Sequence, residues 1–273
     1  MTEPLYEGLR DDREEVMTEP SHEGLRVERR EDRLVVVLDR PEVRNAIDAA
    51  MVDGLHRVCA DLERDPRPAI FTGGPKIFAA GADIGQLRER DRLDALAGIN
   101  SGLFDRIARL PMPTVAAVAG PAIGGGAELA YACDFRVGTP RATFGNPEGQ
   151  LGILAAAGAA WRLPELVGEP LAKEILLAGR VLTAAEALDV RLLNEVAEPE
   201  ALMDAAHAWV DRILRNAPLA VRLTKAALRA PREAHPVFDN VAQAVLFETE
   251  EKRQRMDTFL SRRKAAPESL ESQ

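Results

Sequence analysis

Cysteine, aromatic side chains, surplus positive charge and long apolar runs are all scarce in this chain. Its 273 residues include two cysteines, Cys59 and Cys133. Both lie in apolar segments, whereas secreted stapled domains carry many cysteines at regular spacing, so buried reduced thiols are expected. Lys and Arg number 35 against 44 Asp and Glu, for a formal charge of -9. That balance works against attraction to phosphate backbones or anionic bilayers, and nucleic acid and membrane partners are disfavoured. No apolar run reaches the roughly 18 residues of a membrane span, and the start is too polar and acidic for a signal-peptide core. A cytoplasmic location is the expectation. The four histidines, His22, His56, His207 and His235, are scattered without a ligand-spaced pair, and no metal is expected. A Gly-x-Ser-x-Gly elbow, a phosphate loop and a dinucleotide fingerprint are also missing, which disfavours serine catalysis and nicotinamide chemistry.

What is present begins with a near-duplication: Met1-Thr2-Glu3-Pro4 to Arg10 returns as Met17-Thr18-Glu19-Pro20 to Arg26. The first copy is charged and poor in apolar residues, so a disordered tail over residues 1–22 is predicted, with Met17 a second candidate start. Short apolar runs follow at Leu34 to Leu38, Ala69 to Thr72 and Thr114 to Val118. Their continuity suits strands buried on both faces. Met51, Leu55, Val58 and Leu62 recur at helical spacing, with Asp48 placed to cap that helix. This is α/β patterning. Beyond about residue 165 the strand signal fades and helical segments take over, at Leu171 to Leu177, Ala201 to Leu214, Leu219 to Leu228 and Val237 to Leu260.

Three segments set glycine and acidic residues among apolar neighbours. In Phe78-Ala79-Ala80-Gly81-Ala82-Asp83-Ile84, small residues let a ligand approach the backbone closely. In Gly120 to Ala130, the run Gly124-Gly125-Gly126 follows an apolar strand and opens a helix, leaving unpaired amides where negative charge is stabilised. Glu128 projects from the first turn of that helix. Taken alone, the segment reads equally well as a tight turn before a helix whose acidic residue complements the dipole. In Phe144-Gly145-Asn146-Pro147-Glu148-Gly149, Glu148 alone reads as a solvated loop carboxylate. Paired with Glu128, it becomes a second acid/base group.

Asp39-Arg40-Pro41 with Asn45-Ala46, Ala80 to Ile84, Gly124 to Ala130 and Phe144 to Glu148, in this order and spacing, resemble the crotonase family of enoyl-CoA hydratases and isomerases. The resemblance runs from Val27 to Arg263 and includes Thr183 to Ala187. It implies an α/β fold, a ClpP-like spiral of ββα units over residues 23–200, and a helical C-terminal region, 201–273, that builds trimers paired into hexamers. It implies an acyl-CoA substrate of fatty acid metabolism, with CoA part of the substrate and no separate cofactor. By position, Ala80 and Gly125 would supply the amides that hold the thioester oxygen. Ala80, Gly81, Ala82, Asp83, Ile84 and Gly124 would border CoA and substrate. Glu128 would help activate water and Glu148 would protonate the α-carbon. Arg44 sits where a basic residue approaches the CoA phosphates, and it reads equally as a surface loop charge. Phe259 and Arg263 resemble residues beside the adenine of CoA bound to the adjacent protomer.

The sequence departs from the family at two places. Ala155-Ala156-Ala157-Gly158-Ala159-Ala160 stands where hydratases usually carry Pro-Gly-x-Gly-Gly-Thr, which reshapes the expected acyl pocket. Arg191 replaces a helix-ending glycine, so either a non-glycine residue is left-handed at roughly 1 kcal/mol or the helix end is rebuilt. Hydration is the expected reaction because Glu128 accompanies Glu148. The alternative is a Δ3,Δ2-enoyl-CoA isomerase, which needs one carboxylate at the Glu148 position. A dienoyl isomerase would need an acid where this chain has Ala156. A non-catalytic RNA-binding relative would need a lysine-rich helix that the acidic balance disfavours.

Overall fold

The computed structural model describes the backbone of residues 17–18 and 24–265 and the side chains of residues 24–261. The rest of the expected tail and the side chain of Arg263 lie outside the described residues. The strands in chain order are β1 (Met17–Thr18), β2 (Leu25–Arg29), β3 (Leu34–Leu38), β4 (Ala69–Thr72), β5 (Thr114–Val118), β6 (Pro121–Ile123), β7 (Phe135–Gly138), β8 (Thr143–Gly145), β9 (Leu182–Thr183) and β10 (Glu195–Val196). Seven form one sheet, ordered β1-β2-β3-β4-β5-β7-β10, and β6-β8-β9 form a second. The pairs from β3 through β10 in the large sheet are parallel, while β1-β2 and β2-β3 are antiparallel.

All five positions of β3 are buried, and so are those of β5. Alternation explains why a continuous apolar run is needed. Leu34, Val36 and Leu38 enter the main core, while Val35 and Val37 enter a second core on the opposite face. The helices are α1 (Ala49–Arg64), α2 (Ile84–Glu89), α3 (Arg92–Ala97), α4 (Ile99–Ala108), α5 (Gly125–Ala132), α6 (Ala159–Val167), α7 (Glu169–Ala178), α8 (Ala184–Asp189), α9 (Leu202–Leu214), α10 (Pro218–Arg229), α11 (Val237–Phe247) and α12 (Glu250–Ala265). Asp48 caps α1 as the sequence predicts, accepting from Met51 N at 2.8 Å. The succession β5, β6, α5 is a ββα turn. The next turn, β7 and β8, leads into a short 3-10 segment at Pro147–Leu151. Bridges between Ile47 and Ala82 and between Ala79 and Ala122 tie the segment after β4 to the smaller sheet and to the loop before α1.

Three differences from the sequence reading have physical reasons, and one alternative left open there is resolved. Met17–Thr18 pairs with Arg29 and Glu28, so ordered pairing starts inside the expected tail. Leu202, Ala206 and Val210 of α9 fill the second core, so α9, grouped with the C-terminal helices in the sequence reading, also covers the sheet. The expected helix from Val237 to Leu260 is two helices: Thr249 interrupts it, its Oγ1 donating to Leu246 O at 2.8 Å and accepting from Lys252 N at 3.3 Å. Arg191 stands at φ 64, so the strained conformation is adopted and the helix end is not rebuilt. No helix among the described residues is long and apolar enough to cross a membrane.

Candidate active site

The strand-to-helix junction at Gly124 is where the site begins. Gly124 N donates to Gly145 O at 2.8 Å, which pins the start of α5 to β8. Gly125 then opens the helix, and its amide has no partner among the described residues, as expected of a first-turn donor. Across a narrow gap lies Gly81, at φ 104. A side chain on Gly125 would put its Cβ 3.4 Å from Ala82 N, and one on Gly81 would put its Cβ 3.0 Å from Ile123 O and 3.4 Å from Gly125 N. Both glycines therefore permit two backbone segments to approach closely, with the Ala82 and Gly125 amides at the gap.

Ala80 does not fill the place expected of it. Its amide donates to Arg44 O at 3.0 Å, and a donor already engaged cannot turn to a substrate oxygen without losing that bond. Ala82 N, which has no partner among the described residues, is the available donor instead. Asp83 N donates to Ile47 O at 3.0 Å, and Ile47 N donates to Gly81 O at 2.8 Å. Successive amides of extended backbone point to opposite sides, so the amide before Asp83 turns away from Ile47, towards Gly125. The positive φ of Gly81 reverses the chain between the two alanines and gives their amides different partners.

Glu128 and Glu148, twenty residues apart, line one cavity of about 450 Å³ together with Ala82 and Gly125. Its apolar wall includes Leu87, Ile99, Leu151, Ile153 and Leu154. Glu128 is 3% exposed, and Oε1 accepts from Ala159 N at 3.0 Å. Burial pushes its carboxyl up to about 7. The Glu148 charge adds to that rise, while the amides of Ala159 and Ala157 and the Arg162 guanidinium oppose it. Glu148 is buried too and is also raised, chiefly by loss of solvation. Its Oε1 accepts from Asn146 Nδ2 at 3.5 Å, and its Oε2 is buried without a partner among the described residues. Asn146 is held in turn by Tyr131, whose hydroxyl donates to Asn146 Oδ1 at 3.2 Å. The arrangement offers two carboxyl groups that burial shifts towards protonation and two amides for a developing oxyanion.

Of the other residues singled out from sequence, Ala80, Gly81, Ile84 and Gly124 line the cavity. Asp83 instead caps α2, accepting from Gln86 N at 3.1 Å. Arg44 is exposed and its side chain is absent from the cavity wall, although its carbonyl fixes Ala80. Phe259 is 66% exposed on α12 and is also absent from the wall. Sequence reasoning missed Asn45 as a positioning group. Fully buried, it accepts from Arg40 N at 2.9 Å and donates to Gly73 O at 2.6 Å and Phe78 O at 3.1 Å. An Asn next to a basic residue in a loop was the available signal, since Asn tolerates the left-handed conformation it adopts at φ 56. Ala82 was placed on the border of the substrate and not at the oxyanion, and Asn146 and Arg162 were assigned no role.

A family model described as enoyl-CoA hydratase/isomerase matches residues 28–269. The chain is 35% identical over 239 residues to a short-chain-enoyl-CoA hydratase of Clostridium acetobutylicum, covering 84% of this chain and 92% of that one. It is 35% identical over 246 residues to a crotonyl-CoA hydratase of Syntrophomonas wolfei, covering 86% and 95%. The crystal structure of an enoyl-CoA hydratase from Bacillus anthracis superposes with a TM-score of 0.82 at 28% identity, covering 88% of this chain and 96% of that one.

Proposed function

This chain belongs to the enoyl-CoA hydratase/isomerase family and is an enzyme with the crotonase fold, and from that premise we propose that it adds water, syn, across the double bond of an α,β-unsaturated acyl-CoA. The observation that carries the proposal is the meeting of Glu128, Glu148 and the free amides of Ala82 and Gly125 on one cavity. Attack at the β-carbon pushes charge onto the thioester oxygen, and two aimed amides answer it. Losing one such donor costs on the order of 100 to 1000-fold in rate. Ionised Glu128 takes a proton from the water, whose oxygen bonds to the β-carbon. Protonated Glu148 gives its proton to the α-carbon, and exchange with solvent then restores both groups. Two buried carboxyls in one cavity do not readily ionise together, so the pair keeps one proton near neutral pH. That proton rests on Glu128 or on the unpartnered Oε2 of Glu148, and the state with Glu148 protonated and Glu128 ionised is the one that reacts.

The assembly proposed is a homotrimer or a hexamer of paired trimers in the cytoplasm. Val237, Val241, Phe247 and Phe259 on α11 and α12 are between 48% and 68% exposed, and apolar surface of that kind marks a protein contact.

The test is a panel of enoyl-CoA thioesters, followed by loss of the conjugated-thioester absorbance and by product mass. Hydration adds one water to the product mass, and E128Q and E148Q abolish it. An unchanged mass with a moved double bond would replace this reading by isomerisation through Glu148 alone.

A further inference from the structure

Arg162, on α6, is 5% exposed, and a charge buried this deeply is destabilising unless closely paired. Its pairing is loose. Nη2 reaches Asp105 Oδ1 at 3.3 Å and Nη1 reaches Ala157 O at 3.4 Å. Asp105 also accepts from Arg109 Nε at 2.5 Å and lies 3.9 Å from Arg229, so one partly exposed carboxylate is divided among three guanidiniums. Burial lowers Arg162 to about 10 accordingly. On its outer side Arg162 borders a second cavity, of about 430 Å³, that Glu128 does not reach.

The inner side of Arg162 faces the turn that serves Glu128. Ala159 N donates to Glu128 Oε1, and the Ala157 amide also faces that carboxyl. Arg162 reaches the same turn through Nη1 to Ala157 O, while its backbone amide makes the ordinary helical bond to Gly158 O at 2.8 Å. Gly158, at φ 134, is the one glycine within the alanine run, and a Cβ there would fall against Arg162 Nη1. The glycine stands where the guanidinium leaves no room for a side chain.

We propose that Arg162 is a positioning residue for Glu128, clamping the Ala157–Ala159 turn whose amides meet the carboxyl and setting a buried positive charge behind it. This rests on the reading of Glu128 as the group that activates water. The charged and titratable groups facing Glu128 are Glu148 from the 3-10 segment, the Tyr131 hydroxyl from its own helix and Arg162 from α6. Asp105 on α4, Arg229 on α10 and Glu165 on α6 act on Arg162 in turn.

The experiment follows the protonated-carboxyl band of Glu128 by infrared difference spectroscopy across pH, with E128Q as the blank, so that no turnover is needed. In R162M the titration midpoint rises by roughly half to one pH unit, the scale of a lost opposite charge. R162K, which keeps the charge, stays near the wild-type midpoint. D105N, which frees Arg162 of its counter-charge, moves the midpoint down. The acid limb of kcat follows these shifts while KM holds, because Arg162 does not line the substrate cavity. Coincident Glu128 titrations in all four proteins would overturn the proposal. If R162M does not fold, an unmoved midpoint in D105N overturns it alone. Shifted titrations in a protein that hydrates no enoyl-CoA would leave the positioning role standing and remove the hydratase reading.

Discussion

Replacing Glu128 by Gln should stabilise the protein above neutral pH while abolishing its activity. Burial raises the Glu128 carboxyl from an ordinary 4.5 to about 7. At about 1.4 kcal/mol per pH unit, that rise corresponds to roughly 3 kcal/mol. The folded state prefers the protonated form, so this contribution is complete below pH 4.5, declines between 4.5 and 7, and is gone above 7. Gln does not titrate, and its amide oxygen can still accept from Ala159 N, as Glu128 Oε1 does at 3.0 Å. The stability difference between E128Q and wild type should therefore be near zero at pH 4.5 and should grow to about 3 kcal/mol by pH 8. For a chain of this size that is a gain of roughly 6 to 12 °C in Tm. Thermal unfolding of both proteins at pH 5 and pH 8 measures it, and the titrating groups that do not interact with Glu128 cancel in the comparison. An equal Tm difference at the two pH values, or a less stable variant at pH 8, would refute the argument that burial strains this carboxylate.

Two further substitutions test the backbone. G124A adds a Cβ 3.0 Å from Glu148 Oε1 at a residue held at φ 54; displacement of that carboxyl should lower kcat about tenfold or more with the fold retained by circular dichroism. R191G should relieve the left-handed strain at φ 64 and raise stability by roughly 1 kcal/mol, read as a higher midpoint in urea with an unchanged m-value.

The parts of the molecule that were legible in the sequence are those determined by neighbours along the chain. β3 read as a doubly buried strand because Val35 to Val37 face two cores in alternation. Asp48 read as a cap because its partner is three residues away. The glycine run before Glu128 read as a source of free amides because helix starts always leave them. What escaped depends on contacts between distant segments. Ala80 and Ala82 are the same residue type on either side of one glycine, and only the Arg44 carbonyl, 36 positions upstream, decides which amide is free. That carbonyl is placed by the consecutive left-handed residues Arg44 and Asn45, and Asn45 is held there by Gly73 O and Phe78 O. No local pattern encodes such a link. α9 was assigned to the C-terminal region for a similar reason: its amphipathic face shows that it must pack, and not on what.

The burial of α5 connects these observations to the chemistry. All eight of its residues are buried, so a carboxyl on it is largely removed from solvent and faces the cavity it lines. Glu128 must therefore find its environment inside, where loss of water raises it, Glu148 raises it further, and the Ala157–Ala159 amides and Arg162 draw it back to about 7. These influences come from elements far apart in the chain, so the final value reflects the packing of the 3-10 segment and α6 on α5. A deeper burial without the opposing amides would leave a carboxyl unable to ionise at neutral pH, and an exposed one would be too weak a base to take a proton from water. The same packing that makes α5 a core helix thus sets the working range of the group that α5 carries, and the stability lost to that charge above pH 7 is the thermodynamic counterpart of having a base there.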